Sequence, residues 1–335
     1  MQWLPTGTDV PDELVRDARD GNVVFLCGAG VSLDAGLPLF KELTDQVYDS
    51  LGSQPSDEAA EQAAYESREY DRVLRSLEKR TRAPGTESAV RKAVIDALKP
   101  PPGADLSRHL SLLRLSRDRD GRCKLLTTNF DPLFELAAKA NGLPYSSHAG
   151  KALPRPGDLR DHGILHLHGC IGEKSIDLEA SDLILTSADF GDAYLRDGWA
   201  SRYIEDRMRV NTLVLVGYRA EDAALRLLLE TLDADRERFR DLKDIYAMEK
   251  AERGSACAFR RSRPLIPTDH DHLFRSIATS VARMLIAPLD DGGDVSLLWV
   301  GQARREAVPV VNRRDPRATR SALTADAAAR AGGPC

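Results

Sequence analysis

Short, unbroken apolar runs alternate with stretches whose apolar residues recur at helical spacing. The runs are Val23–Cys27, Cys123–Thr127, Ile164–His168, Asp182–Leu185, Thr212–Val216 and Asp244–Met248. Runs of this length, rich in Val, Ile and Leu with no polar alternation, predict strands covered on both faces, as in a parallel sheet. Between them the spacing predicts helices over residues 8–20 (Asp9 or Asp12 as cap), Phe40–Leu51 and 105–116. Further helices are predicted after Asp131-Pro132, with Asp131 as N-cap, from Thr186-Ser187-Ala188-Asp189-Phe190, and around Ala224, Leu225, Leu228 and Leu229. A last amphipathic helix carries Leu273, Phe274, Ile277, Val281 and Leu285. Strand and helix in alternation predict an α/β fold, a doubly wound, mostly parallel Rossmann-like sheet.

Residues 57–99 hold too much helix for one crossover. Val73, Leu74 and Leu77, then Val90, Val94, Ile95 and Leu98, fall at helical spacing on either side of Gly85, and Pro100-Pro101-Pro102-Gly103 stops the second helix. This region is read as an inserted helical subdomain within a domain spanning 1–288. Beyond it, 289–335 turns to Ala, Arg, Gly, Asp and Pro, with one short strand (Val295–Val300), and is expected to be partly disordered.

In a sheet of this kind ligands bind outside the carboxyl ends of the strands. The polar clusters fall at those ends: Gly28-Ala29-Gly30, Thr128-Asn129-Phe130-Asp131, His168-Gly169 and Gly217-Tyr218. The first glycine turn, followed by a helix starting near Ser32, would aim free N–H groups at a dinucleotide phosphate. Gly36 is misplaced for the usual dinucleotide fingerprint, so a bare strand-to-helix turn is the plainer alternative. Asn129 can both donate to and accept from a ribose hydroxyl or water, or it and Asp131 can simply cap a helix. His168, before a glycine, suits a base open to ligand or a ring capping a carbonyl; His166, deeper in the strand, reads as structural. Both histidines would share a strand face with Cys170, but Gly169 ends the strand and no fourth ligand stands at a suitable spacing, so no metal is predicted. Asp34 and Asp222 are further acidic candidates.

Composition narrows the class. The chain has 335 residues, 42% hydrophobic and 30% charged, with net charge −5, which gives no general attraction to nucleic acid. The basic loop Arg253–Arg263 is read as solvated surface rather than a nucleic-acid contact. Five cysteines without any Cys-x-x-Cys fit a reducing compartment, and no segment resembles a leader or a membrane span. A cytoplasmic protein is expected.

Taken in order, Gly28-Ala29-Gly30-Val31-Ser32 with Gly36-Leu37-Pro38-Leu39-Phe40, then Thr127-Thr128-Asn129-Phe130-Asp131, His168-Gly169 and Val216-Gly217-Tyr218, resemble the sirtuin superfamily. The resemblance runs from about residue 20 to 286 and is nearest to bacterial sirtuin-like domains without a zinc module. It implies a sirtuin-type sheet and NAD as substrate, with Gly28, Ala29, Gly30 and Ser32 at the pyrophosphate and Phe40 and Thr128 beside them. It implies Asn129 and Asp131 at the nicotinamide ribose, His168 as general base, and Gly217 and Tyr218 toward the adenosine. The chain departs from the family at Leu39-Phe40-Lys41, where the family has Asp-Phe-Arg, at Thr128 in place of Gln, and at Tyr218-Arg219. It also lacks the two Cys-x-x-Cys pairs that follow the His-Gly of zinc-binding deacetylases. The resemblance thus implies an NAD glycohydrolase, an NAD-depleting effector of anti-phage defence silenced by self-assembly or a partner protein. A zinc-independent deacylase or ADP-ribosyltransferase and a non-catalytic NAD or ADP-ribose sensor are the alternatives.

Overall fold

The computed structural model describes residues 10–249 and 258–261, except 84, 119, 173–179, 219–222 and 237. Helix α1 (Asp12–Arg19) leads into β1 (Val23–Cys27), and α2 (Phe40–Leu51), α3 (Ala59–Glu66), α4 (Tyr70–Thr81) and α5 (Ala89–Ala97) follow. Then come α6 (Ser107–Leu115), β2 (Lys124–Thr127), α7 (Leu133–Ala140), β3 (Ser147–Ala149) and β4 (Gly163–His166). The rest is α8 (Ser187–Phe190), α9 (Trp199–Val210), β5 (Thr212–Val216), α10 (Ala223–Asp235), β6 (Ile245–Glu249) and β7 (Ala258–Arg261). The sheet order is β3-β4-β2-β1-β5-β6-β7. The first six strands run parallel, and β7 joins the edge antiparallel to β6. This is the α/β, Rossmann-like sheet that the alternating pattern predicts.

Period-two alternation sorts the strand residues onto two faces. Phe25, Cys27, Leu125, Ile164 and Val214 face one core with Leu14 and Val15 of α1, Leu112 and Leu113 of α6 and Phe134 of α7. Val24, Leu26, Leu126, Leu165 and Leu213 face the other with Ile204 and Met208 of α9 and Leu225 and Leu229 of α10. Every residue of β1 and β5 is buried, which is why neither reads as alternating.

Helices α2–α5 form a third layer around Leu43, Val47, Val73, Leu74, Leu77, Val90 and Val94, joined by Ile171, Leu183 and Leu185 from the segment after β4. Arg91 of α5 ties the layer to that segment. Its guanidinium donates to the main-chain oxygens of Ala180 and Leu183, at 2.9 and 2.8 Å, and pairs with Glu78 and Asp189. On the opposite flank, Arg207 of α9 makes a bidentate pair with Asp161 at 2.6 and 2.7 Å, both side chains fully buried.

Several expectations need correction. No helix starts near Ser32: Ala29–Val31 form one 3-10 turn and α2 begins only at Phe40. The third strand stops at His166, because Gly163–His166 alone pair with β2, and Leu167-His168 already turn toward Gly169 at φ +98°. Asp182–Leu185 is not a strand: Ala180–Asp182 form a 3-10 turn, and the Arg91 guanidinium takes the carbonyls of Ala180 and Leu183. Residues 57–99 hold three helices rather than two, the extra break being a left-handed turn at Arg68 (φ 60°). Pro11, not Asp9 or Asp12, precedes the first helix, and Pro132 takes the N-cap position of α7 while Asp131 Oδ1 still accepts the Leu133 N–H at 3.1 Å. Strand β3 was unforeseen, and so was β7, which occupies part of the predicted basic loop. The helix over 269–286, the strand Val295–Val300, the 289–335 tail and Asp222 lie outside the described residues.

Candidate functional site

The carboxyl ends of β4, β2, β1 and β5 are neighbours in the sheet, so the four polar clusters form one row. Above them opens a cleft of about 790 Å³, open solvent included. Its floor is Ala29, Gly30 and Ser32 after β1, Thr128, Asn129 and Asp131 after β2, His168 after β4, and Gly217 and Tyr218 after β5. Phe40 lines the far wall. Of the eleven residues that the resemblance places at NAD, Gly28 alone stays out of the lining. It lies beneath, its N–H on the Val216 carbonyl at 3.0 Å.

The glycines have a packing reason of their own. A Cβ on Gly28 or on Gly30 would come 2.8 Å from the Gly217 carbonyl oxygen, and one on Gly217, at φ +61°, 2.6 Å from the Val31 nitrogen. The turns after β1 and β5 interlock, backbone against backbone, and the Gly30 N–H donates to the Gly217 oxygen at 2.9 Å. Gly30→Ala should therefore cost about 1–3 kcal/mol of stability, as overpacking does in a rigid interior. Urea unfolding measures this, and an unchanged midpoint would mean the two turns are free to part.

Ser32 is the hub of the floor. Its hydroxyl lies 3.0 Å from Asp131 Oδ2, 3.1 Å from Asn129 Nδ2 and 3.2 Å from His109 Nε2. A hydroxyl donates once and accepts twice, so Ser32 donates to Asp131 and accepts from Asn129 and from the Nε2–H of a neutral His109. Burial pushes Asp131 above the ordinary carboxylate value, while the Leu133 N–H and the Ser32 hydroxyl pull it back.

Two histidines here are neutral because they are buried. Burial lowers His168 to about 3 and His109 to about 4. His168 Nε2 lies 2.7 Å from the Tyr194 hydroxyl, and its ring meets Phe190 edge-on at 5.2 Å. Unfolded histidine takes its proton near 6.5, so as pH falls below that value the unfolded chain binds protons first and stability is lost. For His109 this amounts to about 3 kcal/mol, spread from pH 6.5 down to 4. Urea unfolding at both pH values should show the loss in the parent chain, and His109→Gln should remove that share.

His166 and His168 do not act together. His166 turns to the Asn129 carbonyl and Glu135, and with Cys170 its ligand-type atoms lie within 4.8 Å of Glu135's. Asp34 is taken by an ion pair with Arg108. The sequence reading missed His109, Tyr194 and the apolar wall of Leu37, Leu39, Leu43, Leu98, Ile184 and Phe190. Leu37 and Leu39 come from the stretch between β1 and α2, Leu43 and Leu98 from the helical layer, and Ile184 and Phe190 from the chain after β4, and an apolar side chain alone marks none of them as part of a site. No helix among the described residues is long and apolar enough to cross a membrane.

Parts of the chain are similar in sequence to known proteins. A 255-residue stretch is 43% identical to uncharacterized protein y4cA of Sinorhizobium fredii (strain NBRC 101917 / NGR234), covering 75% of this chain and 21% of that protein. The chain thus spans about a fifth of the length of the curated relative it matches. Residues 124–265 match the family model of the SIR2-like domain, from β2 with its Asn129 turn through β7, and this match supports the chain's place in the sirtuin-like superfamily.

Proposed function

We propose that the chain is an NAD glycohydrolase, cleaving NAD with water to nicotinamide and ADP-ribose. The observation that carries this is the convergence of Ser32, Asn129, Asp131 and His168 on one cleft floor, within a chain that matches a SIR2-like domain. The residues suit the ligand. Ala29 and Gly30 line the cleft with small residues, and Asn129 and Asp131 offer a donor and an acceptor to ribose hydroxyls.

In the reaction the bond from nicotinamide nitrogen to ribose C1′ breaks and its electron pair leaves with nicotinamide. Water forms the new bond at C1′. His168 is neutral and so carries a lone pair, and taking a proton there has to overcome the burial that lowers the ring to about 3. With Nε2 held by Tyr194, Nδ1 is the nitrogen left for the ribose hydroxyls or the water. The buried floor keeps bulk solvent off the reacting centre, where Asp131 in its carboxylate form would stabilise the oxocarbenium-like state more than it would in water. Uncontrolled turnover of this kind depletes NAD, which suits an effector of bacterial anti-phage defence kept silent by a partner protein or self-assembly.

One observation favours a second reading. The apolar wall of Leu37, Leu39, Leu43, Leu98 and Ile184 would accept an acyl chain, as a protein deacylase requires. Purified protein incubated with NAD and followed by chromatography separates the two. Nicotinamide and ADP-ribose appearing with NAD alone support the hydrolase, whereas release that needs an acylated peptide supports the deacylase. Tight NAD binding without release points to a sensor, and no binding ends the NAD reading.

A further inference from the structure

Behind the Asn129 turn lies a charged pair that the proposed chemistry leaves unused. His166, the last residue of β4, is fully buried. Its Nδ1 lies 3.1 Å from the main-chain oxygen of Asn129, and its Nε2 lies 2.9 Å from Oε1 of Glu135, in the first turn of α7. A carbonyl oxygen only accepts, and so does a carboxylate. Both ring nitrogens must therefore carry hydrogen, which makes the ring an imidazolium.

The surroundings agree. Burial works against a charge on either partner, yet each holds the other ionised: His166 stays well above its ordinary value and Glu135 below its own. The Ser147 hydroxyl of β3 donates to the same Glu135 oxygen at 2.5 Å. Cys170, just past β4, is held as a thiol by burial. Among the described residues Asp131 also faces His166, whose charge favours its carboxylate.

We propose that His166, with Glu135 as its counter-ion, is a positioning residue for the cleft. The imidazolium grips the carbonyl of Asn129, and so fixes the turn from which the Asn129 amide reaches Ser32 at 3.1 Å. It also supplies a positive charge that favours the Asp131 carboxylate against its burial. The catalytic consequence rests on the NAD-cleaving reading; the protonation of the ring does not.

Two measurements test this. In ¹⁵N-histidine-labelled protein, with His166→Gln assigning the signal, both ring nitrogens of His166 should stay protonated from about pH 6 to 8. Glu135→Gln keeps the shape and removes the negative charge. Its kcat for NAD cleavage should fall about tenfold or more with KM within about twofold. The ring should then lose its proton, and because its charge bears on Asp131 more than the opposing charge of Glu135 does, Asp131 should hold its proton longer and the acid limb of the kcat–pH profile should move to higher pH. A purely structural role would lower the melting temperature without moving that limb. A singly protonated His166 in the parent chain would overturn the proposal. So would parent-like kcat and pH profile in Glu135→Gln, or a stoichiometric metal ion bound through Glu135, His166 and Cys170 in the purified protein. Should the parent chain not cleave NAD, the NMR signal and the metal content still decide the ion pair, and only the hydrolase reading falls.

Discussion

His168→Ala is expected to lower NAD cleavage by about 10²–10⁴-fold, the range for losing a general base. The effect should fall on kcat, because the ring lies at the cleft floor among residues that bind through other groups, Ser32 and Asn129 foremost. Tyr194 and Phe190 hold the ring in place. Asn129→Ala should also suppress release, by removing the amide that joins Ser32 to the turn after β2. Nicotinamide release followed by chromatography gives the rates, and thermal melting of each variant separates lost chemistry from lost fold. A folded His168→Ala variant that keeps parental kcat would end the assignment of His168 as base.

Asp161→Asn should cost about 3–5 kcal/mol of folding stability, which makes it the largest expected loss of stability. Asp161 accepts both terminal nitrogens of Arg207, the Gly157 N–H at 2.9 Å and an ion pair from Lys124 at 3.3 Å. Arg207 is fully buried, and among the described residues it also donates to the Tyr203 hydroxyl and the Asn211 side-chain oxygen, both neutral. Neutralising Asp161 leaves that guanidinium inside the protein without a counter-charge, which costs far more than the pair itself contributes. The urea midpoint at neutral pH reads the change. A loss below about 1 kcal/mol would mean that Tyr203 and Asn211 suffice for Arg207.

The strands were legible because burial on both faces removes the polar positions that would otherwise blur them. Val23–Cys27 and Thr212–Val216 could be read to the residue. Asp182–Leu185 misled because its leucines and isoleucine are buried in a loop, where a guanidinium takes the Leu183 carbonyl. The floor of the cleft was legible for a different reason: its residues follow directly on strands and sit beside glycines. His109 and Tyr194 reach the floor from helical segments, where one polar residue on an apolar face looks like any other. The pairing of His166 with Glu135 was hidden because it joins positions 31 residues apart through the third dimension.

The Arg91 tie also bears on how the molecule comes apart. Ile171, Leu183 and Leu185 belong to the core of the helical layer, although the chain reaches them well after that layer is complete. Excising residues 53–99 as a cassette would strip these three of their cover and leave the Ala180 and Leu183 carbonyls without their guanidinium. The helices inserted after β1 are thus no detachable appendage. They and the segment after β4 should melt cooperatively, in one transition, and the apolar wall of the cleft should be lost with them.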